Sequence, residues 1–216
     1  QGAVANGFDA LFAETDKTSP QNVVQIWAKN TQLSLELQAK IKKLRNHDEI
    51  FAQSIQKADN EMLGFSRRYD MNNASEPKLI AQFISENPDY KEAVTVSEGG
   101  SIKNLDILEY AAKGNGLYDI DAEIDSIVRR LPLLFRLGEK VYPSLVLELL
   151  RVQQKATSIT INTSNLQGKL RISSIKIGKY TIPTDESGQL WIHFTKTQRE
   201  RSIPVWKILD PQQHFN

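Results

Sequence analysis

Asp119, Asp121, Glu123 and Asp125 alternate along the chain. On an extended backbone their carboxylates would project to one side, as oxygen ligands for a hard cation do. An EF-hand type of calcium loop is a poor fit, because counting from Asp119 puts Ile124 at the sixth position, where glycine is needed, and Arg130 at the twelfth, where glutamate is needed. The pattern therefore reads as a solvated acidic edge, and no metal is expected. The segment Ala3 to Ala13 reads as a short buried strand running into a polar turn that starts at Glu14, and Asp9 and Glu14 are the carboxylates at the end of that strand. Open α/β sheets often place ligand groups beyond a strand end, and two carboxylates can do acid–base work if their surroundings separate their pKa values. The plainer expectation is that Asp9 caps the turn and Glu14 pairs with a basic neighbour such as Arg129. His47, His193 and His214 share no metal-ligand spacing and no nucleophile pattern. His193, alternating with Trp191, is expected to be a satisfied sheet residue. Neither Gly-x-Gly-x-x-Gly nor a phosphate loop ending in Gly-Lys-Ser/Thr occurs, so no nucleotide cofactor is expected.

Cysteine is absent, which excludes disulfides, thiol nucleophiles and thiolate metal sites. Lysine and arginine (27) nearly cancel aspartate and glutamate (26), leaving a net charge of +1, too weak a field to argue for a nucleic-acid partner. The basic cluster Lys40, Lys42, Lys43 and Arg45 lies beside Leu37, Ile41 and Leu44 and reads as a solvated helix face. With 40% hydrophobic and 25% charged residues the chain is of globular composition, and 216 residues favour a single domain spanning 1–216. No run approaches the ~18 apolar residues of a membrane span, and no signal-peptide pattern opens the chain.

Positioning elements follow from periodicity. Ser19-Pro20 is a helix start, and Ile26, Leu33, Leu37, Ile41 and Leu44 predict one long amphipathic helix. A second helix is expected from an Asn46–Asp48 cap to about Ala58, then a strand over Glu61–Phe65 and a helix from Pro77 to Glu86. Gly99-Gly100 reads as a loop, Leu105–Ala112 as a short helix stopped by Gly114, and Ile127–Phe135 as a buried strand. Pro143 and Ser144 open a helix whose buried stripe would be Leu145, Val146, Leu149 and Leu150. From Ser158 the period becomes two, with Ile159 and Ile161, Leu170 and Ile172, and Ile175 and Ile177 facing a core. Gly178-Lys179 suits a tight hairpin, Asp185-Glu-Ser-Gly188 is a turn, and Leu190–Phe194 reads as a strand. The fold expected is α/β: a mixed sheet flanked by helices, with an antiparallel C-terminal portion.

Four local patterns carry a family resemblance. Phe8-Asp-Ala-Leu-Phe-Ala-Glu14 and Asp125-Ser-Ile-Val-Arg-Arg-Leu-Pro-Leu133 are followed by Tyr142-Pro-Ser-Leu-Val-Leu-Glu-Leu-Leu150 and Ile182-Pro-Thr-Asp-Glu-Ser-Gly-Gln-Leu190. In this order they resemble the second type of CHASE domain, the sensory extracellular module associated with cyclases and histidine kinases. The likeness is good from about Gly114 onward and thinner from Ala3 to Phe65. Ser126 stands where the family pattern has glycine, which puts a left-handed turn there in doubt. The family's opening strand, with its Trp-Pro segment, would precede Gln1, so the chain is expected to lack that strand.

The resemblance implies an extracytoplasmic sensor, periplasmic or on the cell surface, tethered to flanking transmembrane helices and not itself an enzyme. It also implies a homodimer controlling an adenylate cyclase, histidine kinase or cyclic-dinucleotide output in response to an unknown small-molecule or protein stimulus. Within the family-like patterns Asp9, Glu14, Arg129, Arg130 and Asp185 mark the expected ligand-binding edge, since buried charge is costly unless paired. Arg129 would hold Asp9 or Glu14 in the empty state and an anionic ligand in the occupied one. The alternative from another class is a small α/β hydrolase or transferase acting through Asp9 and Glu14.

Overall fold

Capping chemistry marks where the helices begin. Pro20 opens α1 (Pro20–Trp27), at a position where its missing N–H costs no hydrogen bond. The side chains of Ser34 and Asn46 accept from first-turn amides of α2 (Leu35–Ile41) and α3 (His47–Ala58), and Asp59, at φ 53°, ends α3 in the left-handed conformation. α4 (Asp106–Ala111) is short. Ser144 caps α5 (Leu145–Gln153) by accepting from the Leu147 amide at 3.2 Å. α6 (Val205–Leu209) lies near the C-terminus. The computed structural model describes residues 3–30, 33–69, 75–97 and 99–209.

The strands fall into two main sheets. In the first, β1 (Asn6–Phe8) and β5 (Gly114–Leu117) both run parallel to β2 (Glu61–Arg68), and β4 (Gly100–Ile102) pairs antiparallel with the end of β2. In the second, β9 (Ser158–Leu166), β10 (Lys169–Ile177) and β11 (Tyr180–Pro183) form an antiparallel meander, and β3 (Gln82–Ile84) joins the β9 edge in parallel. Two smaller ladders pair β6 (Arg130–Pro132) with β12 (Gln189–Trp191), and β7 (Leu134–Leu137) with β8 (Lys140–Pro143). The α/β class with mixed sheets and an antiparallel C-terminal portion therefore holds, with the strands divided among several sheets rather than gathered in one.

Adjacent residues of a strand face opposite ways. Leu63 packs with Ala52 and Ile55 of α3 and Leu108 of α4, whereas Met62 packs with Leu145 and Val152 of α5. The first sheet thus has α3 and α4 on one face and α5 on the other. Leu147 of α5 is turned into the second core, among Ile159, Ile161, Ile172, Ile175 and Ile177. The odd separation of Ile172 and Ile175 would put them on opposite faces of a regular strand. A register shift between Ile172 and Ser174 absorbs the extra residue, and both isoleucines are buried. Gly178 sits at φ 53° in the expected hairpin. A further two-residue hairpin that sequence reasoning missed uses Gln167 and Gly168, both at positive φ.

Several expected elements differ. The long helix after Pro20 is interrupted: α1 passes into a 3-10 turn over Ala28–Asn30, and Ser34 caps a separate α2. Of the expected stripe Ile41 is buried, but Ile26, Leu37 and Leu44 are exposed, as are Trp27 and Leu35 at 80% and 84%, so the stripe is not covered along its length. No helix forms over 77–86. Ala81 is buried in the second core and β3 pairs with β9 instead, tertiary pairing overriding a weak helical preference. The run 127–135 is two strands, because the Leu133 amide and carbonyl leave the ladders to bond Gly188 and Ser144. Val146 is exposed, and the buried residues of α5 are Leu145, Leu147, Glu148, Arg151 and Val152. The last strand stops at Trp191, leaving His193 exposed and outside any sheet.

β5 lies close under α5. A Cβ added at Gly116 would come within 2.5 Å of the Leu145 Cα, 2.6 Å of its nitrogen and 2.8 Å of the Ser144 carbonyl carbon, all backbone atoms. Gly116→Ala should destabilise the protein by about 2–3 kcal/mol, as overpacking against groups that cannot rotate away does. Urea denaturation measures this, and a change within about 0.5 kcal/mol, the usual range for surface substitutions, would contradict the packing described.

Candidate functional site

The charged centre begins where β2 ends. β5 brings Asp119 beside Ser66 and Arg67: its carboxylate accepts from Ser66 Oγ at 2.9 Å and from the Arg67 backbone amide. Asp121 takes both η nitrogens of the Arg67 guanidinium, at 2.8 and 2.6 Å, the bidentate geometry that Arg and carboxylate favour. The chain then turns over 123–127, with the Ser126 amide bonding the Glu123 carbonyl at 2.8 Å and the Glu123 amide bonding the Ile127 carbonyl at 3.0 Å. Glu123 and Asp125 thereby face the two arginines that follow. Arg129 Nη1 donates to Glu123 at 3.0 Å and to Asp125 at 3.0 Å, and Nη2 donates to Asp125 at 2.7 Å. Arg130 Nε donates to the other oxygen of Glu123 at 3.1 Å. Trp191, opposite Arg130 in the β6–β12 ladder, has its ring centroid 5.5 Å from that guanidinium.

Asp185 joins through Arg130, whose Nη1 lies 3.8 Å away. Its own role is local: one oxygen accepts from the Ser187 and Gln189 amides at 3.0 and 2.9 Å, shaping the turn into β12. The Asp121 and Asp125 carboxyls are held below the ordinary carboxylate range by hydrogen bonds, first from Arg67 and Arg129 respectively. A cleft of about 330 Å³ opens between this clamp and the β6–β12 ladder, lined by Arg67, Asp121, Glu123, Arg130, Phe135 and Gln189 among others.

Of the residues expected at a ligand-binding edge, Arg129, Arg130 and Asp185 share this network, and Arg130 lines the cleft. Asp9 and Glu14 are not bonded to it. Asp9 is exposed beyond β1, and Glu14 pairs with Lys17 at 2.7 Å, both side chains over 70% exposed. Arg129 holds Asp125 and Glu123 in place of the expected Asp9 or Glu14, because those two lie on its own turn. The acidic stretch 119–125 is likewise paired with arginines rather than simply solvated. Arg67 was missed: it is 52 residues from Asp119, and only the β2–β5 pairing brings them together. Among the described residues no cluster of three or more histidines, aspartates or glutamates is arranged to hold a metal ion, and His214 lies outside them. His47 Nδ1 lies 2.6 Å from Asp16.

Ser126 does adopt the left-handed turn, at φ 63°, despite its side chain. A non-glycine residue there carries about 1–2 kcal/mol of strain. Ser126→Gly should therefore raise the melting temperature, and an unchanged or lower value would refute the strain. A second expectation concerns pH. Asp121 has a depressed pKa when folded, so the stability it contributes is present above its unfolded value of 3.8 and is lost as pH falls below that value, through the folded pKa. Asp121→Asn should flatten the acid limb of melting temperature against pH. Parallel limbs for the two proteins would contradict the Arg67 pairing.

No curated protein and no solved structure compared with the chain matches it. Among the described residues no helix is long and apolar enough to cross a membrane. A family model described as the CHASE2 domain matches residues 1–216, the whole length. The chain belongs to the CHASE2 family, the extracellular sensory domains found in signalling proteins.

Proposed function

We propose that this chain is the extracytoplasmic sensor of a membrane-anchored receptor, held between transmembrane helices and regulating an adenylate cyclase, histidine kinase or cyclic-dinucleotide enzyme as a homodimer. The observation that carries the reading is the end-to-end family match. A sensor needs two states and a stimulus that binds them differently. The clamp supports this physically: Arg67 and Arg130 reach carboxylates in segments far apart in the chain, so a ligand that re-partners either guanidinium would shift several elements at once. A catalytic reading through Asp9 and Glu14 finds no support in the geometry. Lys17, by hydrogen bond and charge, holds the Glu14 carboxyl below its ordinary value, whereas a general acid working near neutrality needs it raised.

The test uses the full-length receptor with alkaline phosphatase, active only outside the cytoplasm, spliced into the Gln167-Gly168 hairpin. Phosphatase activity is expected there, with a cytoplasm-dependent fluorescent reporter dark at the same position, and copies bearing two different tags should co-purify. A dark phosphatase with a bright fluorescent fusion would overturn the location, and failure of the tags to co-purify would overturn the dimer.

A further inference from the structure

We propose that the cleft between the 119–125 clamp and the β6–β12 ladder binds a free L-amino acid with an apolar side chain. The inference deepens the sensor reading, on which it rests for the idea that the occupant is a stimulus.

The first support is the state of Arg130. Its Nε is bonded to Glu123, but Nη1 stands 3.8 Å from Asp185, beyond hydrogen-bond reach, and Nη2 has no acceptor among the described residues. Arg67 and Arg129, by contrast, have both η nitrogens bonded to carboxylates. Arg130 therefore keeps an open pair of donors that matches a carboxylate. Gln189 lines the same cleft, and its side-chain amide is bonded to no described residue, so it is available as a further donor.

Charge balance then decides against a plain anion. The network joins five carboxylates, Asp119, Asp121, Glu123, Asp125 and Asp185, to three guanidinia. Its excess is negative, which opposes an isolated anion and favours a ligand that brings an ammonium as well. Asp121 and Glu123 line the cleft, and a carboxylate has about four lone-pair sites, so each can accept an ammonium without releasing its arginine. The remaining wall sets Val96, Pro132 and Phe135 beside the hydroxyl residues Thr95 and Ser97, and Ile124, fully exposed, adds apolar surface at its rim. A volume of about 330 Å³ lies at the low end of ligand pockets, about 300–1,000 Å³, and suits a single amino acid better than a peptide.

Calorimetric titration of the 216-residue chain with L-valine, L-leucine and L-phenylalanine tests this. The controls are isovalerate, which is valine without its amine, isobutylamine, which is valine without its carboxylate, and inorganic phosphate. At least one amino acid should bind with Kd below about 1 mM, and each control at least about tenfold more weakly. Arg130→Lys keeps the charge but loses the fork, and Gln189→Ala removes the second donor. Each should weaken binding about tenfold while the protein still unfolds in one cooperative transition, and Lys40→Gln on exposed α2 should have no effect. No binding by any of the three amino acids, isovalerate or phosphate binding as tightly as valine, or full affinity in Arg130→Lys would each overturn the proposal. Such failures leave the sensor reading standing, because the phosphatase fusion reports location whatever the cleft binds.

Discussion

The burial of α5 between two sheets is the constraint on which the rest of the molecule depends. Its Leu145 and Val152 complete the core under β2, and its Leu147 enters the isoleucine core of β9 and β10. Gly114 and Gly116 let β5 approach α5 closely, since a Cβ at either would collide with Glu148 or with the Leu145 backbone. It also takes two charges out of water. Glu148 is fully buried and accepts from Arg151 Nε and Nη2 at 2.8 and 2.7 Å, and the remaining donors of Arg151 reach the carbonyls of Ala156 and Lys113. Burial pushes the Glu148 carboxyl up, against the pull of Arg151. A pair of this kind contributes little net stability but fixes geometry, since any shift of the helix would strand a buried charge. Lys113 leads into β5 and Ala156 precedes β9, so one guanidinium sets the position of both sheets relative to the helix.

The arginine clamp on 119–125 stands in contrast. It lies at the surface, its pairs are partly solvated, and each contributes modestly by itself. What it does is order a stretch with no regular secondary structure, tying it to the end of β2 through Arg67 and to the β6–β12 ladder through Arg130. Rigid elements fixed by α5 thus carry a charged surface that lies apart from the buried cores. That division of labour suits a domain whose work is to respond.

Much of the fold was legible in the residues. The caps at Asn46 and Ser144, the Gly178 hairpin and the period-two isoleucines are local signals with local causes, and the structure realises them. The four motifs led to the CHASE2 family, and the charged residues Arg129, Arg130 and Asp185 were recognised with them. Part of what failed did so where distant contacts outweighed local preference. The 77–86 segment is extended because β9 offers it an edge. The helical stripe after Pro20 breaks for a different reason, since Ile26 and Leu37 on that stripe are left exposed.

Chain-local chemistry was thus enough for the class of fold, most helix starts and turns, and the family, because caps, periodicity and motif order depend on residues within a few positions of one another. Which carboxylate each arginine holds was decided by tertiary structure alone. Asp119, Asp121 and Arg67 meet through β2–β5 pairing, and Glu14 turns to Lys17 while Arg129 closes on its own turn. Ion pairing falls off steeply with distance, and for residues of distant segments that distance is set by the packing of whole elements rather than by spacing along the chain.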